Sequence, residues 1–448
     1  MFINKLKILR FKGFNEFDLT FSKPNYNYFE KLNLSILVGE NGTGKSTILQ
    51  ALTQIFCPTE RNKKPNRLEI DFQISYDIDG MEVYYQSNEK YPDYFPPKII
   101  VSTFSVFDPF TKYSYFPTRI KYREKESSNH EANYVYCGPL ESRHSSLDSV
   151  VNAIIKTIYF SEADIKQQKC YYDLLHKTGY REAVWFEFVR NHHILNKKVN
   201  ELYNEASLDI AREYYEKLML LIRQKKFRIP PQGLSAGRAL ISVEDFGKEL
   251  SYLYYKMLDL DLDTLIKDIW FVSLDDQIVP LSDMSSGQLT MLFRFLPLTV
   301  EMDDNALVLI DEPETHLHPL WEQEFIEYLV QLFNEFNSHI IIATHSPIIA
   351  SDVPMESIIG LINKNGQLHQ LPPMDRTLGG HASEILRDVF HLDKITGKFS
   401  SKKLLLIEEL ILSKDTVKIE KARRIYNDLS TTMEKYELFK KYKDILGD

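Results

Sequence analysis

Cysteine is scarce in this sequence and long apolar runs are missing. The three cysteines, Cys57, Cys137 and Cys170, are unevenly spaced and form no CxxC pair, which excludes a disulfide framework and a cysteine-based zinc site. No stretch approaches the roughly 18 apolar residues that cross a bilayer. The best, HIIIATHSPIIA, is broken by His345, Ser346 and Pro347. The start, MFINKLKILRFKGF, lacks the charged-then-apolar layout of a signal peptide, so a reduced, cytoplasmic protein without membrane contact is expected. An excess of positive charge is missing too. With 54 basic and 63 acidic side chains the formal charge is −9, so nucleic-acid contact would need a local basic surface. Arg119-Lys121-Arg123 and Arg223-Lys225-Lys226-Arg228 are the candidates, more simply read as solvated faces. Repeats and low-complexity tracts are absent.

What is there divides by pattern. At 448 residues the chain exceeds the length over which one core keeps growing, so two or three structural units are expected. Residues 2 to 38 alternate apolar and polar and end in LSILVG, which predicts two or three strands, the last buried. A helix should follow from Lys45 to about Phe56. Then comes a hairpin turning at Asp79-Gly80, and a strand over about 98 to 107. From 141 the spacing changes. SLDSVVNAIIKTIYF, the run from EAVWFEFV to LMLLIRQ, and VEDFGKELSYLYYKML carry apolar residues three and four apart, predicting a helical insertion. Strand signals return at IWFVSLDDQIVPL, and the tail from 373 to 448 reads as helical. The expected organisation is an N-terminal lobe (1–140), a mainly helical insertion (141–280), a C-terminal lobe (281–372) and a helical C-terminal region (373–448), an α/β protein overall.

Gly39 to Ser46, GENGTGKS, fits the phosphate-loop pattern GxxxxGK[ST], between an apolar strand and an amphipathic helix. Its glycines let backbone amides point at a phosphate at a helix N-terminus. Asn41, Gly42, Thr43, Gly44, Lys45, Ser46 and Thr47 are therefore the candidate ATP contacts. Lys45 would neutralise the β- and γ-phosphates, and the Ser46 hydroxyl would ligate Mg²⁺. The partner strand is ALVLIDEPE. Asp311 would hold Mg²⁺ through its outer shell, and Glu312 is placed to orient or deprotonate the attacking water. Ser285, Ser286, Gly287 and Gln288, in MSSGQ, offer a second anion site at a helix start. IIIATHSPII puts His345 at the end of a buried strand.

In this order the motifs resemble the ABC-type ATPase head, in the branch that includes RecF, the structural-maintenance-of-chromosomes proteins and the OLD nucleases. Ser286 stands where the family signature has the first of two glycines, and EPETHLHP is similar to the loop that faces the partner subunit in RecF- and OLD-like members. The resemblance implies a mixed sheet core with flanking helices and an antiparallel β subdomain, and His345 as a switch that senses γ-phosphate. It also implies that the signature binds ATP in trans, so that two chains sandwich two nucleotides as a homodimer or higher oligomer. One departure stands out. The stretch STFSVFDPF lacks the expected glutamine, with Ser105 or Asp108 as alternative metal contacts.

The effector is harder to place. KKLLLIEEL is the nearest thing to the start of a Toprim nuclease domain, but too few residues follow Glu409 and no Asp-x-Asp appears. His316 and His318 could mimic a metal pair, though the dimer-loop reading is simpler. RNHHILNKK does not make an HNH pattern. With no long coiled coil either, the profile resembles the PtuA family, the ATPases of the Septu antiphage system. GENGTGKST, VSTFSVFDPF, YVYCGP, EPETHLHP and GGHASEILRDVFHL carry that match. The resemblance implies an HNH nuclease partner of the PtuB kind, with any DNA contact made through the complex. The alternatives are a RecF-like clamp that binds DNA itself, and an OLD-like ATPase or toxin with an unrecognised C-terminal effector.

Overall fold

The computed structural model describes the chain apart from residues 58–69, 91, 104–109, 111–132, 139–145, 161–164, 190–204, 225–236, 261, 365–366, 372–374, 391–397, 431 and 448. It divides into two compact units, Met1–Gly380 and His381–Asp448. Strands of the first unit are β1 (Phe2–Phe11), β2 (Phe14–Thr20), β3 (Asn33–Gly39), β4 (Asp71–Ile78), β5 (Met81–Gln86), β6 (Lys98–Thr103), β7 (Asn133–Tyr136) and β8 (Tyr180–Val189). They continue with β9 (Arg238–Ser242), β10 (Ile266–Ser273), β11 (Ile278–Pro280), β12 (Leu307–Asp311), β13 (His339–Thr344), β14 (Ile358–Lys364) and β15 (Gln367–Leu371).

The central sheet runs β15-β14-β3-β13-β12-β6-β7. All its pairings are parallel except β14 with β15, so the sheet is mixed. Every residue of β12 and β13 is buried, as is β3 beyond its first residue. That is the two-sided burial expected of interior parallel strands, and it explains their near-continuous Leu, Ile and Val. The register sets Val38 level with Thr344, Ala343 with Asp311, and Asp311 with Thr103. The carboxyl ends of four strands therefore stop together, where open α/β sheets bind ligands. A smaller antiparallel sheet, β2-β1-β4-β5, packs its alternate apolar residues into the same core. Its β4–β5 turn has φ of 50° at Asp79 and 76° at Gly80, the mirror-image geometry that suits a two-residue hairpin.

The insertion differs from expectation. EAVWFEFV, read above as helical, belongs to strand β8, the centre of a four-stranded antiparallel sheet ordered β11-β10-β8-β9. Val184, Phe186 and Phe188 are buried and the residues between them are only half covered. This period of two was in the sequence, masked by the helical spacing of the segments around it. The helices Ser146–Ile155, Ile165–Lys177, Glu205–Gln224 and Val243–Asp259 complete this region. It is tied to the C-terminal lobe by polar contacts: Lys166 Nζ to Asp304 at 2.7 Å, Gln167 Nε2 donating to the Met302 carbonyl at 2.6 Å, and Lys156 to Glu301. Of the two basic runs only Arg223 lies among the described residues, at the end of the helix Glu205–Gln224; RNHHILNKK lies outside them.

The second unit is helical. Lys398–Leu412, Thr416–Asp428, Met433–Lys441 and Lys443–Leu446 close over Ile407, Ile411, Ala422, Leu438 and Leu446. Asp415 starts the second of these by accepting from the amides of Val417 and Lys418.

One buried histidine staples the lobes. His339 is wholly buried at the start of β13. Its Nδ1 accepts from the Ile3 amide at 3.1 Å and its Nε2 lies 2.9 Å from Ser35 Oγ. Burial first, then the N-terminal ammonium and Lys23, hold its pKa well below the ordinary value. A histidine that stays neutral when folded but protonates when unfolded stabilises the fold above pH ~6.5, and that contribution is lost as pH falls below it. Wild type should lose about 1.4 kcal/mol more than His339→Gln between pH 7.5 and 5.5, read from urea midpoints. Equal losses would show that His339 is not the titrating group.

Candidate nucleotide site

The loop after β3 forms the floor of the site. Gly39 is required by close approach, since a Cβ there would stand 2.5 Å from the Leu361 carbonyl oxygen on β14. Gly42 and Gly44 have φ of 82° and 89°, the left-handed region that glycine enters without strain. Gly44 then caps the helix Lys45–Phe56. Thr43 Oγ1 donates to the Glu40 carbonyl at 2.9 Å, closing the loop on itself. Asn41 and Gly42 are exposed, while Ser46 and Thr47 are half-buried on the first helical turn.

Lys45 is 5% exposed and its ammonium donates to the carbonyls of Gly39 at 2.9 Å and Glu40 at 3.3 Å, and to His345 Nδ1 at 3.3 Å. Burial lowers its pKa to about 8 against the pull of Glu314, Asp311 and Glu312. His345 sits one residue past the end of β13. Desolvation and then Lys45 push its pKa down to about 4, with a backbone hydrogen bond to Gly39 opposing. Its imidazole is therefore neutral at physiological pH, an uncharged group able to exchange hydrogen bonds with a phosphate.

Asp311 ends β12 and is 2% exposed. Ser46 Oγ donates to its Oδ1 at 2.9 Å. Burial raises its pKa to about 7 despite that bond, with Glu312 and Glu314 adding to the rise. A hydroxyl and an enclosed carboxylate side by side form a hard-oxygen pair of the kind Mg²⁺ takes when phosphate oxygens complete its shell. Glu312 has φ of 49°. Such strain costs about 1–3 kcal/mol and persists where the surroundings impose it. Here the Glu312 amide is held by the Ala343 carbonyl at 2.8 Å, and its carbonyl by the Thr315 amide at 3.1 Å. Residues 104–109, which hold both alternatives to the missing glutamine, lie outside the described residues.

The signature residues are built separately. Ser285 caps the helix Ser286–Glu301 and forms a reciprocal capping box with Gln288, whose Nε2 also donates to the Thr178 carbonyl at 3.0 Å. Ser285 and Ser286 are exposed, and Gly287 lies against Trp321. Gln288 is thus engaged in its own chain. His316 and His318 form no metal pair: His318 Nδ1 instead accepts from the Leu320 amide at 3.3 Å, capping the helix Pro319–Phe333.

Sequence reading missed Glu314. Its carboxylate accepts from Thr344 Oγ1 at 2.7 Å and from the His345 amide at 2.5 Å, and burial raises its pKa. The repeated glutamate in EPETHLHP was the available signal. A cavity of about 230 Å³ lined by Phe2, Lys23 and Tyr26 lies at the amino end of β3, the end opposite this chemistry.

Fold and site together define a P-loop ATPase of α/β architecture. The chain belongs to the AAA ATPase domain family, whose model matches residues 1–350. It is similar to protein ea59 of Escherichia phage lambda, 25% identical across 85% of this chain and 58% of that protein. The retron Vc95 probable ATPase of Vibrio cholerae serotype O1 biovar El Tor is 24% identical over 86% of this chain and 79% of its own length. Septu protein PtuA of Bacillus thuringiensis is 33% identical over 20% of this chain and 24% of its own, so the PtuA resemblance read from the motifs recurs here. The chain spans little more than half of the phage relative. Among solved structures, the SMC head domain from Thermotoga maritima aligns with 83% of this chain and 99% of its own at 13% identity and a TM-score of 0.33, too distant to bear on function. No helix among the described residues is long and apolar enough to cross a membrane.

Two outcomes follow from the geometry. Lys45→Ala should weaken ATP binding by about 10- to 100-fold, the loss of one charge-assisted bond of 1.5–3 kcal/mol, in a calorimetric titration. Glu314→Ala should leave that affinity within a few-fold but lower steady-state hydrolysis by about 100-fold, since it frees His345 and the loop carrying Glu312; unchanged turnover would remove Glu314 from the site.

Proposed function

We propose that this chain is the ATPase subunit of an antiphage defence assembly, in which ATP draws two heads together and their state governs a separate HNH nuclease of the PtuB kind. The observation that carries the reading is the division of the site. Lys45 meets His345 and Ser46 meets Asp311, whereas Ser285 and Ser286 stand exposed at another helix start, with Gly287 packed on Trp321. An anion site pointed at solvent is half of something, and a second copy supplies the complement. Each composite site would use Lys45, Ser46, Asp311, Glu312 and His345 of one chain with Ser285 and Gly287 of the other. Mg²⁺, bound by Ser46 and Asp311, would neutralise phosphate charge. Glu312 would orient the water, and neutral His345 would report whether the γ-phosphate is present. ATP then serves as a joint between subunits, biasing one of two arrangements of the assembly. Similarity to the retron ATPases and to PtuA supports placing the subunit beside a separate effector.

Glu312→Gln should bind ATP without turning it over and elute as a dimer in ATP and Mg²⁺ by size exclusion with light scattering. A monomer under those conditions overturns the sandwich. Copurification with an HNH protein encoded beside this gene is expected. Salt-sensitive DNA affinity of the isolated chain would favour the clamp instead, because phosphate contacts release counterions.

A further inference from the structure

Trp321 and Glu322 are neighbours on the first turn of the helix Pro319–Phe333, and they touch two different half-sites. The Trp321 indole lies on Gly287: a Cβ built there would stand 2.3 Å from Nε1 and 2.9 Å from Cε2. Glycine at 287 is therefore demanded by packing within its own chain, whatever phosphate approaches from outside. Glu322 accepts from Ser346 Oγ at 2.5 Å. Ser346 follows His345 and caps the next helix through the amides of Ile348 and Ile349.

A second bridge runs in parallel. Arg294, on the signature helix and 2% exposed, donates to the carbonyls of Pro313 and Thr315. Glu314, between those two residues, holds Thr344 and the His345 amide. The signature helix and the switch histidine are thus joined twice, through Gly287–Trp321 with Glu322–Ser346 and through Arg294 with the 313–315 loop. Both joints are short contacts among packed groups, which shift as units rather than stretching.

We propose that Trp321, Glu322 and Arg294 are positioning residues that couple the two half-sites of one chain. A γ-phosphate held by a second copy and seated on Ser285–Gly287 biases His345 and Glu314 beside the ATP bound by this chain. The inference rests on the sandwich reading, adding that its two nucleotides are felt cooperatively through one helical turn.

The test uses full-length chain with ATP and Mg²⁺. Wild-type hydrolysis should rise with ATP at a Hill coefficient near 2, the limit for two coupled sites. Trp321→Leu and Glu322→Ala should bring it to about 1 and lower kcat about 10-fold. ATP affinity, titrated on protein too dilute to dimerise, should stay within about 2-fold. Glu322→Gln keeps an acceptor oxygen for Ser346 and should restore the wild-type coefficient. Gly287→Ala should lower Tm, and adding Trp321→Leu should recover part of the loss, because the indole is what the new methyl meets. Cooperativity unchanged in both Trp321→Leu and Glu322→Ala overturns the proposal, as does a wild-type coefficient of 1 or a purely additive Gly287/Trp321 pair. If Trp321→Leu does not fold, Glu322→Ala against Glu322→Gln decides alone. Failure of Glu312→Gln to dimerise in ATP falls on the sandwich itself, which separates the two.

Discussion

Strand β13 runs between β3 and β12, and its register decides what can touch what in this site. Thr344 lies level with Val38 and Ala343 with Asp311. The residues just past those ends are the phosphate loop, the 312–316 turn and His345. A slip of one residue would turn each side chain to the other face of the sheet, separating Lys45 from His345 and Ser46 from Asp311. The register is held from both ends. At the carboxyl edge the Glu312 amide bonds to Ala343. At the amino edge His339 ties β13 to Ile3 and Ser35. The candidate switch histidine, His345, thus depends for its position on His339, at the far end of its own strand.

The site gathers charge in an enclosed place, where each ion is disfavoured unless something answers it. Lys45 is answered by loop carbonyls, Asp311 by Ser46, Glu314 by Thr344 and an amide, and Arg294 by two carbonyls. These bonds are local and specific, so few rearrangements keep all of them. A phosphate that captured Lys45 would take it from Gly39, Glu40 and His345 together. Burial raises Asp311 to about 7 and lowers Lys45 to about 8. A metal ion beside the one and phosphates beside the other would favour the charged form of each.

Legibility in the sequence followed the range of the contacts. The phosphate loop and the helix from Lys45 to Phe56 were legible because a loop that wraps a phosphate is made of neighbouring amides, and its glycines, Gly39, Gly42 and Gly44, fall within one short stretch of chain. The helix start at Ser285 was legible for the same reason. Strand β8 was not: Val184, Phe186 and Phe188 alternate over too short a span to outweigh helical spacing on either side. Nor were Glu314, Arg294 and Trp321, whose work lies in contacts with segments up to 34 residues away in sequence, such as Trp321 upon Gly287. A single sequence states spacing along the chain, and these contacts are set by how β12, β13 and two helices pack.

The signature's departure from the family pattern now has a physical account. The resemblance predicts two glycines where this chain has Ser286 and Gly287. Ser286 is the first residue of its helix, exposed, with its carbonyl accepting from Thr290 Oγ1 at 2.7 Å. Helical backbone there needs no glycine, and the hydroxyl of the exposed Ser286 has no hydrogen-bond partner among the described residues. Gly287 is different, because the Trp321 indole fills the place of its Cβ. The substitution has therefore fallen at the position of the pair where a side chain is free to stand. It adds a second hydroxyl beside Ser285 at a helix N-terminus, where the dipole and free amides favour an anion. The exchange leaves the packed glycine untouched and sets two hydroxyls side by side at one helix start, the donor set that the proposed anion site would use.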